Sequence, residues 1–338
     1  QIKLIGKRNN NSIQYPIPLS DRYWKQQDKR FDYIHSLLSK YDCDDILFIE
    51  ENGLLVECLK IVKEQKLSGK FKKIIIYMSE LYWDSVNEKN QKEIDDLLDY
   101  NIFVIFNFLS DKSPFDLKTK SYTSIGSFLD ITNLYLQKYD FKQKSKKYNL
   151  ISKFGRPQED RIKFYNELKD YNSFVYSINN FQLDYKNDDI PSKKFESEKQ
   201  KTGDYKSNTL PTEDFESVFS LDMETRCSSF QSSSKLIQIT EKTLKSFMFK
   251  RPSIIVIQKE AFDYLESFGF EFPNYFGLDY KTQQLEICKR ICELSLEECK
   301  DLSSQYKDVY EKNYQKLVEF LEHHKTKLEN IFYELYHK

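Results

Sequence analysis

The sequence predicts an α/β protein of two domains with a helical tail, on three observations. Short β-rich runs alternate with helices of about ten residues, the alternation occurs twice with a break around residues 140–147, and the last sixty or so residues are helical throughout. At 338 residues the chain is too long for one comfortable core and suits two domains of ordinary size. The boundaries implied are 1–145, 146–280 and a tail over 281–338.

In chain order, "DDILFIE" (44–50) is the first strand and "LLVECLKIVKEQ" (54–65) the helix after it. "KKIIIYM" (72–78) is a strand, "NQKEIDDLLDY" (90–100) a helix, "NIFVIFNF" (101–108) a strand and "SFLDITNLYLQKY" (127–139) a helix. The strands of this first set should form one parallel sheet, because helical crossovers join strands of like direction. The second set opens with "YNLISKF" (148–154), the helix "QEDRIKFYNELKDY" (158–171) and "FVYSINN" (174–180). From Asp184 to Asp214 the chain fills with Lys, Asp, Ser and Glu, a composition that predicts a mobile surface insertion. The strands "SVFSLDM" (217–223) and "SIIVI" (253–257) follow, with a helix between them, and then "AFDYLESFGF" (261–270). In the tail, Leu317, Phe320, Leu321, Leu328, Ile331, Phe332 and Leu335 recur at helical spacing, the pattern of a cap packed on one or both domains. His323 and His324 sit in a charged part of it and read as a solvated pair.

Composition narrows the function. Hydrophobic residues make up 39% and aromatic residues 15%, enough for real cores, while the charged 31% sums to a net charge of −1. That balance argues against general coating of nucleic acid. Six cysteines are scattered without a CxxC pair, which suggests reduced thiols and a cytoplasmic setting; Cys288 and Cys292 share a helix face without the histidines of a zinc site. No apolar run approaches the ~20 residues that span a bilayer, and no secretory signal is read. GxxxxGK[ST], GxGxxG, HExxH and GxSxG are all missing, which disfavours P-loop and nicotinamide enzymes, zinc proteases of that signature and α/β-hydrolases.

What remains is "ITEKTLKSFMFKRPSIIVI" (239–257), where a strand-like run gives way to a helix at an acid–base pair. Thr240 is placed to cap a helix beginning at Glu241. A helix N-terminus favours anions and Lys242 adds a point charge, while Glu241 could accept hydrogen bonds from ribose hydroxyls. A nucleoside diphosphate is the natural ligand of such a corner; the plain alternative is a solvated helix start.

This stretch, followed by "YLESFGF", resembles the donor-binding segment of GT-B glycosyltransferases, in particular the α-1,3-fucosyltransferase family and related phage and giant-virus glycosyltransferases. "FGRPQEDRIKFYNEL" (154–168) is similar to the segment in which an Arg precedes an aromatic–aromatic–x–x–Leu run. "FSLDMET" (219–225) resembles the strand that comes before the Thr-Glu-Lys. The resemblance implies two Rossmann-like domains (GT-B-like) and a glycosyltransferase that is inverting and metal-independent, with no cofactor beyond a nucleotide-sugar donor. The acceptor would be a hydroxyl on a glycan, a protein or a modified nucleobase, and the setting the host cytoplasm if the chain is viral. Carried over by position, it implies that Arg161 and Lys242 bind the diphosphate, Glu241 the ribose, and Glu224 lies near the donor sugar. Glu80, after the strand "KKIIIYM", would be the catalytic base. Two departures stand out: "FMFKRP" (247–252) replaces the small residues usual before the next strand, and Thr225 and Arg226 stand where an Asn is expected after Glu224. They keep open a scaffold or binding protein that retains the fold without the chemistry.

Overall fold

A computed structural model describes residues 3–5, 46–51, 55–78, 88–106, 121–124, 132, 144–155, 158–178, 190, 192–195, 210–224, 237 and 239–337. The chain divides into two compact units, one formed by Gln1–Ile131 with Glu322–Lys338 and the other by Thr132–Leu321. Each is built on its own parallel sheet.

The first sheet holds β1 (Lys3–Ile5), β2 (Ile46–Glu51), β3 (Lys73–Met78), β4 (Ile102–Phe106) and β5 (Ser121–Thr123), in that spatial order and all parallel. β1 and β5 were not foreseen; three-residue edge strands carry too little pattern to be seen. Helices α1 (Leu55–Glu64) and α2 (Glu88–Leu97) connect β2 to β3 and β3 to β4. Since every step across the sheet runs the same way, right-handed crossovers put both helices on one face. The opposite face needs another cover. The last helix supplies it: Leu328, Ile331, Phe332 and Leu335 pack on Ile46, Phe48, Ile75, Tyr77 and Ile105. Lys73 Nζ donates to the Leu335 carbonyl at 2.5 Å, meeting the open carbonyls of that helix end with a cation. The central strands are buried on both faces, so they read as unbroken apolar runs.

The second sheet is ordered differently. It holds β6 (Tyr148–Gly155), β7 (Phe174–Ile178), β8 (Ser217–Met223) and β9 (Ser253–Val256) in the spatial order β7-β6-β8-β9, again all parallel. The chain steps outward from β6 to β7, returns past β6 to β8, and continues outward the other way. Right-handed crossovers therefore place α3 (Glu159–Leu168) and α5 (Glu241–Met248) on opposite faces. Between them in sequence, α4 (Thr212–Glu216) leads directly into β8. The remaining helices are α6 (Lys259–Ser267), α7 (Gln284–Glu293), α8 (Leu296–Gln305) and α9 (Lys307–His337). Asn149 of β6 donates to the Ile291 and Leu294 carbonyls at the end of α7, at 3.0 and 2.7 Å.

The segment expected to be a mobile insertion is described only at 190, 192–195 and 210–214, and those residues are largely packed. Ile190, Phe195 and Leu210 are buried, Lys193 bridges to Ile178, and the Lys193 ammonium lies 3.8 Å from the Tyr176 ring centroid. Single apolar residues scattered among charges give no periodic signal, which is why the stretch reads as loop. The expected helix over 127–139 lies outside the described residues except at Thr132. His324 corrects another expectation: it is 1% exposed, and burial, with Lys327 and His323 adding to it, pushes its pKa down to about 3. Cys288, Cys292 and Cys299 are free, buried thiols, and Cys58 is buried as well. Burial holds Cys292 and Cys299 up at about 12, so they are inert rather than reactive. Among the described residues, no helix is long and apolar enough to cross a membrane and no group of three His, Cys, Asp or Glu could hold a metal ion.

Candidate functional site

The strand order reverses at β6 and β8, so the connections leaving their carboxyl ends pass to opposite faces of the sheet. In open parallel sheets this is where ligands bind. Four of the five sequence-predicted site residues gather around it; the fifth, Glu80, lies outside the described residues.

β6 ends at Gly155 with φ +64, a left-handed conformation that suits glycine. A side chain there would also crowd Arg161, since an added Cβ would sit 3.3 Å from its Nη1. Arg161, in the first turn of α3, is 2% exposed and donates from Nη2 to the Met223 carbonyl at 3.0 Å. It thereby ties the start of α3 to the end of β8. The next residue, Glu224, is 1% exposed, and both carboxylate oxygens are engaged. They accept from the Thr240 N–H at 2.9 Å, the Thr240 hydroxyl at 2.8–2.9 Å and the Thr243 hydroxyl at 2.6 Å. Thr240 in turn caps α5, its Oγ1 accepting from the Lys242 N–H at 3.2 Å. Arg161, Glu224, Thr240 and Lys242 thus form one hydrogen-bonded chain through the Met223 carbonyl and the helix cap. Glu224, expected beside a donor sugar, is the group that seats α5.

Glu241 and Lys242 are the site residues that reach solvent. Their side chains are 25% and 34% exposed, with Lys242 Nζ 3.7 Å from Glu241 Oε1. This places a cation and a carboxylate side by side at a helix N-terminus, the arrangement that can hold a phosphate and a polyol together.

Sequence reasoning did not find the polar seam behind this corner. Ser220 and Asp222 on β8 and Glu224 just past its end alternate at strand period, and α5 meets them with polar side chains. Asp222 accepts from Ser220 and Ser246, both at 2.8 Å, and pairs with Lys245 at 2.9 Å. Arg251 pairs with Asp214 at 3.2 Å and donates to the Ser217 carbonyl at 3.2 Å. Burial pulls the Lys245 pKa down, but Asp214 and Asp222 together outweigh it and leave the pKa raised. The signal was present as Ser-x-Asp-x-Glu at strand period facing Thr-x-x-Thr-x-x-Ser at helix period, in residues 240–246.

The departure at "FMFKRP" also has a local explanation. After Phe249 the chain turns at Lys250 with φ +48, a helix-ending conformation usually taken by glycine. Lys250 is held there by Glu311 at 2.9 Å and lies 4.4 Å from the Tyr314 ring centroid. The charges of residues 239–257 therefore divide by burial: Lys245 and Arg251 are buried in ion pairs, Lys250 is paired at the surface, and Glu241 and Lys242 stay partly exposed in the first turn of α5. Comparison with protein-family models, with curated proteins and with solved structures returned no match for this chain.

Proposed function

We propose that the chain is a glycosyltransferase whose nucleoside-diphosphate sugar binds at the carboxyl ends of β6 and β8. The observation that carries the reading is the capped N-terminus of α5 at the strand-order reversal, with Lys242 and Glu241 partly exposed in its first turn. Lys242 and the helix end would hold the diphosphate, and Glu241 the ribose. With Arg161 and Glu224 buried, their part is to fix the strand end and the helix that present those groups. The positive field at the helix end stabilises the departing diphosphate, so the chemistry can proceed by inversion without a metal. Glu80, assigned from the resemblance, would take the acceptor proton, a contribution of about 10²–10⁴-fold.

Calorimetry with UDP, GDP and their sugars tests the reading. Lys242→Ala should weaken nucleotide binding by about 1.5–3 kcal/mol, the range for a hydrogen bond to a charged group, while the melting temperature holds. Glu80→Gln should lower turnover and spare donor affinity. A wild-type chain that binds no nucleotide overturns the proposal. It would leave the second reading, a scaffold of the same fold, which the near-complete burial of Arg161 favours.

A further inference from the structure

A pocket lies in the second unit, lined by Arg251, Ser246, Ser253, Tyr275, Tyr310 and Asn313 among others, with space for about one water-sized guest. Its polar lining is nearly all committed. Ser246 donates to Asp222, Ser253 donates to the Ser246 carbonyl, and Asn313 exchanges bonds with both backbone groups of Glu271. Two donors are left over. Arg251 is 7% exposed; its Nη1 and Nη2 are bonded, and its buried Nε has no hydrogen-bond partner among the described residues. Tyr275 and Tyr310 share one hydrogen bond at 2.9 Å, and two hydroxyls joined by one bond keep one O–H to give elsewhere. Buried donors without acceptors call for a guest.

Charge selects its kind. Around Arg251 the carboxylates of Asp214 and Asp222 face three cations, Arg251, Lys245 and Lys146, which leaves an excess of positive charge. The Glu271 carboxylate is itself paired with Lys312. We infer that the pocket binds a small monovalent anion of chloride size, seated between Arg251 Nε and the spare hydroxyl of the Tyr275–Tyr310 pair. A water could accept from both groups, but it would leave the positive excess unmet.

The test is thermal unfolding of the full chain at constant ionic strength while gluconate is replaced by chloride or bromide. A saturable rise of a few degrees is expected, because an ion bound only by the folded state stabilises it by mass action. The Tyr275→Phe/Tyr310→Phe double variant, which removes the spare hydroxyl at nearly constant volume, should lose that rise. Crystals of the wild-type chain soaked in bromide should show anomalous density within hydrogen-bond reach of Arg251 Nε. This readout decides the matter if the double variant does not fold. Water alone at that position under saturating bromide, or an anion-specific rise that persists in a folded double variant, overturns the inference.

Discussion

The two sheets are alike in direction and opposite in what they bury. In the first, β2, β3 and β4 face inward with Leu47, Ile49, Ile74, Ile76 and Val104 on one side and Phe48, Ile75, Tyr77 and Ile105 on the other. In the second, β8 and the residue after it bury Ser220, Asp222 and Glu224, met by hydroxyls and a lysine of α5. The first sheet advances strand by strand without reversal; the second reverses at β6. A sheet without reversal sends its crossovers to one face, and among the described residues the strand surface goes to apolar packing. At a reversal the sheet parts its helices, and the polar groups gather beside that point. Polar burial is the mark that separates a packing sheet from one that carries a candidate site.

If the seam is a matched set, breaking one side should cost far more than removing both. Asp222→Ala leaves Lys245 buried without its nearest partner and should destabilise the chain by about 3–5 kcal/mol in denaturant unfolding. The Asp222→Leu/Lys245→Met double variant should recover most of that loss. Additive losses in the double variant would mean the two residues are not coupled.

The apolar sheet should respond to volume instead. Phe332 is fully buried with its ring centroid 6.4 Å from that of Phe48. Phe332→Ala should cost about 3–5 kcal/mol through lost burial and the cavity left behind, and Phe332→Leu much less. Equal effects of the two substitutions would show that the helix does not pack on this sheet as described.

Acid and base should separate the two units. An unfolded His324 takes a proton below its ordinary pKa of 6.5, whereas the folded one resists until about 3. Stability is therefore lost as pH falls through that window, on the order of a few kcal/mol in all, and His324→Leu should flatten the decline. Lys146, beside Arg251 and bonded to the Phe215 carbonyl at 2.9 Å, behaves in the same sense at higher pH. Burial, with the Arg251 charge, lowers its pKa from 10.5 to about 8. Between those values the unfolded chain holds a proton that the folded chain has released, so stability rises with pH there, and Lys146→Met should remove the rise.

The smallest effect is expected at the helix seat. Thr243→Val removes one hydroxyl that Glu224 accepts while the Thr240 bonds remain, for a loss of about 1 kcal/mol. Hydrogen exchange should quicken at the first turn of α5 and stay unchanged in β8. A uniform change across the second unit would instead place Thr243 in its general core.

The sequence was legible wherever the signal is local. The longer strands came out within a few residues because parallel strands buried on both faces leave continuous β-rich runs, as in "KIIIYM" and "SVFSLDM", whereas the three-residue β1 and β5 did not. The Thr240 cap needed only its own side chain and the amide of Lys242, two residues on. The polar seam was not legible, although its residues are in plain sight. Asp222 meets Ser246 and Lys245 more than twenty positions later, and Asp214 meets Arg251 thirty-seven positions later.

Sequence alone thus determined the two rounds of strand and helix, the helical tail and the capped Thr-Glu-Lys turn, since periodicity and capping act over a few residues. Only the tertiary structure decided the strand order, and with it where the connections part to opposite faces. It also decided which charges of "ITEKTLKSFMFKRPSIIVI" stay near water. Lys242 and Lys245 are the same residue three positions apart on one helix, and local pattern gives no ground to part them. Docking α5 on β8 buries Lys245 against Asp222 and leaves Lys242 one-third exposed, because a helix turned against a sheet sends positions three apart to different surroundings at its exposed first turn and its covered middle.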